Sequence, residues 1–377
     1  MATIEKYETK SGATLYRVRY RTPDKRSTQK RGFTTKRDAE RFANKVEVSK
    51  LTGEYVAPSL GKTTIGELGP PWLGRQRGHL KASTLQSYEL SWATHVARRW
   101  GGVPIAQVHY SDVQAWVAEL SSRRGPGTVR IAYSVLARIL DDAVRDRLIA
   151  TNQARGVKLP KLPPRRNTYL TAVQLQHLAD ESGRHKSLVL ALGVGGLRLG
   201  EAAALRVSDI DFLRRRVELR RNAVKVGGEF VVGSLKNHKN RGVVLPAFVM
   251  DELARTCEGK GRDELLWPSP RGGYISGPSL WKTSWLAMAV GRCRKADPTF
   301  PRVTPHDLRH TAASLAISAG ANPKVVQRML GHASAAMTLD VYADLFESDL
   351  ESVAANVAKM WPRMDQPHTR STPESAS

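Results

Sequence analysis

The chain has 377 residues, enough for two or three separately packed domains. Its hydrophobic content of 41% is ordinary for a globular protein, but 59 lysines and arginines against 35 aspartates and glutamates leave a formal charge of +24. That surplus points to a polyanion, and the lack of any apolar run of about 18 residues or uniformly basic amphipathic helix favours nucleic acid over a membrane surface.

The opening "MATIEKYETK" is polar and mixed in charge, unlike a signal peptide. The stretch "TLYRVRYRT" alternates strictly, as a strand does. It places Leu15, Arg17, Arg19 and Arg21 on one face and Tyr16, Val18 and Tyr20 on the other. "TPDKRS" reads as a turn and "TQKRGF" as a further strand. "TKRDAERFANKVEVSKL" reads as a helix capped at Thr34 or Thr35, with Ala39, Phe42, Ala43 and Val46 along its apolar stripe. Residues 1–58 are therefore expected to form a small sheet backed by one helix, the sheet being assigned three strands. An arginine-lined strand face suits a DNA groove and serves equally as a solvated surface.

"APSLGKTTIGELGPP" reads as a linker. Residues 63–155 then read as all helix. "STLQSYELSWATHVARRWG" is expected to be capped at Ser83 and stopped at Gly101, and "SDVQAWVAELSSR" to be capped at Ser111. "GTVRIAYSVLARILDDAVRDRLI" is long and amphipathic. "KLPKLPPRRN" makes a stiff basic boundary. Residues 168–362 start with helices around 171–206. A β-rich section follows ("RRVELRR", "EFVVGSLK", "RGVVLP"), and helices return from about 277. Residues 363–377 are polar and read as a disordered tail. Cys257 and Cys293 lack metal-type spacing and read as reduced thiols of a cytosolic protein.

Four segments of the third block hold unusual residues. In "GVGGLRLGEAAAL", Arg198 and Glu201 lie three apart and share a face. In "TPHDLRHTAA", Thr304 suits an N-cap, Pro305 the first helical position and Asp307 a capping box, so His306 and Arg309 gather at a positive helix pole. "NPKVVQRML" runs from an Asn322 cap to Gly331, which leaves His332 just past a helix end. Tyr342 follows on the next short helix. In "GSLKNHKNRGVVLP", Lys236 sits at the turn end of a strand. Taken singly, each has a structural reading: an ion pair for Arg198 with Glu201, a solvated turn for Lys236, a half-buried ring for Tyr342.

Together and in this order, "GGLRLGEAAAL", "HDLRHTAAS" and "LGHASAAMTLDVYADLF" resemble the tyrosine recombinases of the phage-integrase family. The resemblance implies an α+β multidomain fold. It has an N-terminal arm-type DNA-binding domain (1–58), an all-α, SAM-like core-binding domain (63–155) and a mainly α catalytic domain with a small antiparallel sheet (168–362). It implies catalytic roles for Arg198, Lys236 (with Lys239 as the fallback), His306, Arg309, His332 and Tyr342, and a supporting role for Glu201. Arg17, Arg19 and Arg21 become the expected arm-site contacts.

The implied reaction is transesterification with type IB topoisomerase-like chemistry. Tyr342 attacks a DNA phosphodiester, leaving a 3′-phosphotyrosyl link and a free 5′-hydroxyl, with neither ATP nor a metal or other cofactor called for. Arg198 and Arg309 are expected to clamp the non-bridging oxygens, and His306 to act as base, since a phenol of pKa near 10 must lose its proton. His332 donates to the phosphate, and Lys236 protonates the leaving 5′-oxygen. Implied partners are double-stranded DNA with core-type and arm-type sites, a homotetramer on two duplexes, a directionality factor and a host DNA-bending protein. The implied setting is a bacterial cytoplasm. The stripe Phe346, Leu350, Val353, Val357 and Met360 is expected to dock on its own domain or on a neighbouring subunit.

Three other readings remain open. "HDLRH" is also H-x-x-x-H, which sets His306 and His310 as zinc ligands with His332 as a third. A non-catalytic DNA-binding regulator fits the charge equally well. A chromosome-resolving recombinase fits the boxes, although the extra basic N-terminal block favours a phage-type integrase.

Overall fold

The computed structural model describes residues 2–23, 25–51, 55–57, 59–163, 167–235, 240–277, 284–347 and 357–358. Lys236, Lys239, the tail at 363–377 and three members of the terminal stripe, Leu350, Val353 and Met360, lie outside them. The chain divides into two compact units, Met1–Pro164 and Arg165–Ser377. It is an α+β protein with small antiparallel sheets.

The first unit holds two separate hydrophobic cores. Strands β1 (Thr3–Glu8), β2 (Thr14–Arg21) and β3 (Ser27–Phe33) form an antiparallel sheet in that order. The alternation expected of β2 holds. Val18 and Tyr20 are buried against Ala39, Ala43 and Val46 of α1 (Lys36–Leu51), and the arginines face away. Across the sheet Arg17 stands opposite Glu5 and Arg31, and Arg19 opposite Thr3 and Gln29. Thr35 is the helix cap, accepting from the Asp38 amide.

The second core belongs to helices α2 (Ile65–Gln76), α3 (Ala82–Ser91), α4 (Ala97–Trp100), α5 (Tyr110–Arg123) and α6 (Pro126–Arg145), with a wider π turn joining α3 to α4. The expected linker is corrected here, because its second half is α2 despite Pro70 and Pro71. A complete capping box between Thr64 and Glu67 starts the helix. Trp92 packs directly on Gly69, where a Cβ would stand 2.0 Å from the indole. Packing by Ile65, Trp72 and Leu73 outweighs the prolines' missing donors. Two caps also move. Lys81 rather than Ser83 precedes α3, and His109 rather than Ser111 precedes α5, so both serines sit in first turns.

The second unit is built around α8 (Lys186–Gly193), every residue of which from Ser187 on is buried. It packs against α7 (Ala172–Asp180), α9 (Leu199–Ala203), α10 (Ala247–Cys257) and α12 (Pro305–Ser318). Strands β4 (Ile210–Asp211), β5 (Arg216–Leu219) and β8 (Arg241–Val244) pair in that order, and β6 (Arg221–Val226) pairs with β7 (Glu229–Ser234) as a hairpin. Helices α11 (Trp285–Ala296), α13 (Pro323–Leu330) and α14 (Ala335–Glu347) complete the unit. Cys257 and Cys293 are free thiols; burial raises both, Cys293 to about 11, so neither is a reactive thiolate. Among the described residues, no helix is long and apolar enough to cross a membrane.

Candidate active site

The site starts at the turn after α8. Gly196 adopts φ +65°, and a Cβ there would lie 2.6 Å from Leu330 Cδ2, so conformation and space both require glycine. Arg198 then caps α9. Its amide donates to Glu201 Oε2 at 2.9 Å and its Nη1 to Oε1 at 2.8 Å. The ion pair expected from the three-residue spacing is therefore real. A second arginine joins it: Arg241, the first residue of β8, donates to both Glu201 oxygens at 2.8 and 2.7 Å. Burial pushes the Glu201 carboxyl up, but the bonds and charges of Arg241 and Arg198 outweigh it and hold the pKa below the usual range.

The end of α13 gathers the arginines. Asn322 caps its start, accepting from the Lys324 and Val325 amides at 3.0 Å, and Gly331 ends it in the left-handed conformation (φ 64°, ψ 46°). Helix ends leave carbonyls without intrahelical donors and carry partial negative charge. Three consecutive carbonyls here are each met by an arginine. Arg241 donates to Met329 O at 3.4 Å, Arg309 to Leu330 O, and Arg198 to Gly331 O at 3.2 Å. Arg309 also donates to Gly196 O, which ties the first turn to this end. Main-chain geometry thus brings three guanidinium groups together.

Helix α12 supplies the next residues. Thr304 and Asp307 form the expected capping box with Pro305 at the start. Arg309 is 3% exposed; burial and the neighbouring Arg198 charge lower its pKa, with Glu201 opposing. His306 is exposed, with its ring 4.5 Å from that of His310. His310 is buried, and its Nδ1 lies 2.8 Å from the Tyr342 hydroxyl.

Tyr342 sits on α14 with non-helical dihedrals (φ −127°, ψ 16°), a break at the residue itself. Its ring is buried with Ala313, Ile317, Val326 and Leu330. His332 stacks nearly parallel to it, centroids 6.4 Å apart, and its Nδ1 lies 3.0 Å from Thr338 Oγ1. Burial, then the charges of Arg309 and Arg198, push His332 down to about 4, so its imidazole is neutral at physiological pH.

Arg198, Glu201, Arg309, His332 and Tyr342 are therefore gathered into one neighbourhood, with His306 beside it. The arrangement offers fixed cations for an anion, the neutral imidazole of His332 and one phenol. Two members carry no clear signal in the sequence. Arg241 stands there only as the first residue of the β-rich segment "RGVVLP", and His310 only as the second histidine of the H-x-x-x-H spacing. Among the described residues no group of three or more His, Cys, Asp or Glu is placed to hold a metal ion. The spacing sets the His306 and His310 rings 4.5 Å apart, with His310 Nδ1 on the Tyr342 hydroxyl. In the first unit, Arg17 is paired to Glu5 at 2.6 Å and Arg19 to the same carboxylate at 3.4 Å.

The Phage integrase family matches residues 168–348. An integrase of Mycobacterium phage D29 is 30% identical over 302 residues, covering 72% of this chain and 78% of the phage protein. The structure of the Tn1549 transposon integrase in complex with transposon right-end DNA superposes with a TM-score of 0.64 at 22% identity, over 78% of this chain and all of that one. A lambda integrase tetramer bound to a Holliday junction gives 0.55 at 17% identity, over 87% and 95%.

Proposed function

The chain belongs to the phage integrase family of tyrosine recombinases, and from that premise we propose how its own residues carry out site-specific recombination. Tyr342 is the nucleophile. Its hydroxyl attacks a DNA phosphodiester, forming a 3′-phosphotyrosyl bond and releasing the 5′-hydroxyl. Arg198 and Arg309 bind the non-bridging oxygens, where planar, permanently charged donors gain most as negative charge develops. Glu201 fixes Arg198. His332, neutral in its half-buried setting, donates a hydrogen bond to a phosphate oxygen. The phenolic proton leaves through the imidazoles of α12, with His306 at the exposed end. Lys236, or Lys239 in its place, protonates the leaving oxygen.

The observation that supports this reading is the convergence of α9, α12, α13 and α14, which seats Arg198 and Arg309 on the end of α13 and the buried Tyr342 hydroxyl on His310. The D29 relative and the lambda tetramer on a Holliday junction favour integration and excision of a phage or mobile element, carried out by a homotetramer on two duplexes. On this reading, residues 1–58 grip arm-type sites through Arg17, Arg19 and Arg21, and residues 63–155 hold the core site. A cleft there lined by Arg130, Arg138, Arg145 and Arg155, with Asp141 and Asp142 between them, keeps a net positive charge for that task. A directionality factor and a host DNA-bending protein complete the reaction in the bacterial cytoplasm.

The test is a nicked suicide substrate resolved on denaturing gels. The wild-type protein forms a covalent adduct, and Tyr342→Phe binds the same duplex without forming one. An adduct that survives in Tyr342→Phe overturns the nucleophile assignment.

A further inference from the structure

The geometry points to His310 as a further catalytic residue: its Nδ1 holds the Tyr342 hydroxyl and takes the phenolic proton as the tyrosine attacks. This rests on the recombinase reading above and adds to it the group that touches the reacting atom.

Distance comes first. The Nδ1–hydroxyl separation of 2.8 Å is a full hydrogen bond, as a proton acceptor requires. Both partners are buried, at 6% and 1% exposure, so bulk water does not compete for the contact. The imidazole is also confined. The Tyr169 ring meets it edge-on at 6.5 Å, the His306 ring at 4.5 Å and the Tyr342 ring at 5.6 Å.

The helix explains the division of labour. Successive residues on an α-helix diverge by about 100°. Arg309 therefore reaches the carbonyls of Gly196 and Leu330, while His310, one residue on, turns to α14. The broken dihedrals at Tyr342 complete the fit, since the local departure from helix sits on the very residue whose hydroxyl meets the imidazole.

The step balances. With the ring proton on Nε2, Nδ1 carries a lone pair and accepts from the phenol. As the Tyr342 oxygen–phosphorus bond forms and the bond from phosphorus to the 5′-oxygen breaks, the phenolic proton passes to Nδ1. The departing 5′-oxygen takes a proton from an ammonium group or from water. The imidazolium so formed is offset by the charge growing on the phosphate. His306, at the solvent edge of the pair, passes the proton outward. Religation reverses each transfer.

Two nicked core-site substrates separate this role from its rivals. One has the natural 5′-oxygen at the scissile phosphate; the other has a bridging 5′-sulfur, which leaves without protonation. His310→Ala and His310→Asn are each expected to form adduct about 10²-fold more slowly than wild type on both substrates, while binding the duplex normally. Asparagine places an amide near the position of Nδ1. It can hold the hydroxyl but cannot accept its proton, and it keeps the test valid if alanine unfolds the site. A wild-type rate in His310→Ala overturns the proposal. So does a defect that the sulfur substrate relieves, because the role would then lie on the leaving group. Full activity in His310→Asn also overturns it, because holding alone would suffice. No adduct from the wild-type protein on either substrate would sink the recombinase reading itself, a result distinct from the other three.

Discussion

Arg241 grips both carboxylate oxygens of Glu201, at 2.7 and 2.8 Å, across forty residues of sequence. Glu201 in turn orients Arg198, so a residue of a sheet strand sets the angle of a guanidinium on a helix cap. Arg241→Ala leaves a buried carboxylate with one partner fewer. It should cost on the order of 3 kcal/mol in urea unfolding and slow adduct formation. Arg241→Lys should recover part of each. Unchanged stability in the alanine variant would show that Arg198 alone satisfies Glu201.

The arginines of the site should not tolerate lysine. Arg309 bridges Gly196 O and Leu330 O with two nitrogens of one plane, and an ammonium on a single stem cannot span both. Arg309→Lys and Arg198→Lys are each expected to lose about 10²–10³ in cleavage rate, read from single-turnover adduct formation, with core-site affinity largely kept. A loss seen mainly in affinity would mean that these groups hold the duplex more than the transition state.

Acid should weaken the fold through His332. Its folded pKa of about 4 lies below the ordinary histidine value, so the unfolded chain binds the extra proton first as pH falls. The resulting stability is complete above pH ~6.5 and is lost progressively down to about pH 4, by up to roughly 3 kcal/mol. His332→Asn removes that slope. Urea midpoints at several pH values from 7 to 4 test this, and parallel curves for the two proteins would refute it.

Gly331→Ala should damage the site through the backbone. The position has φ +64°, and an added Cβ would stand 2.9 Å from the Arg241 side chain. The strain costs about 1–3 kcal/mol, visible as a lower melting temperature, and displaces Arg241 from the helix end. A melting temperature equal to wild type would contradict the close packing described there.

In the N-terminal sheet, Arg17→Ala with Arg19→Ala should weaken binding to an arm-type duplex. The slope of log affinity against log salt should fall by about one for each arginine that no longer reaches a phosphate, with core-site cleavage spared. Equal weakening at both kinds of site would refute the assignment of this face.

Local chemistry made much of this legible in the sequence. The caps at Thr304 and Asn322, the stop at Gly331 and the Arg198–Glu201 spacing depend on neighbours within a few residues, and the chain carries those neighbours openly. Helix α2 was hidden because Pro70 and Pro71 speak against a helix locally, while the contact that secures it, Trp92 on Gly69, is distant in sequence. The roles of Arg241 and His310 were hidden for the same reason: their partners lie forty and thirty-two residues away. A zinc-like spacing on one helix said nothing of which ring would meet the phenol.

On the proposed mechanism, the three carbonyls at the end of α13 take the donors that the phosphate would otherwise meet. Because the arginines already rest on main-chain oxygens, a stray sulfate or inorganic phosphate must compete with ligands that are covalently part of the fold and never diffuse away. A phosphate held by a duplex that is gripped elsewhere along the protein arrives at far higher local concentration. On the proposed mechanism the arginines would then discriminate against small free anions and answer to the polymer.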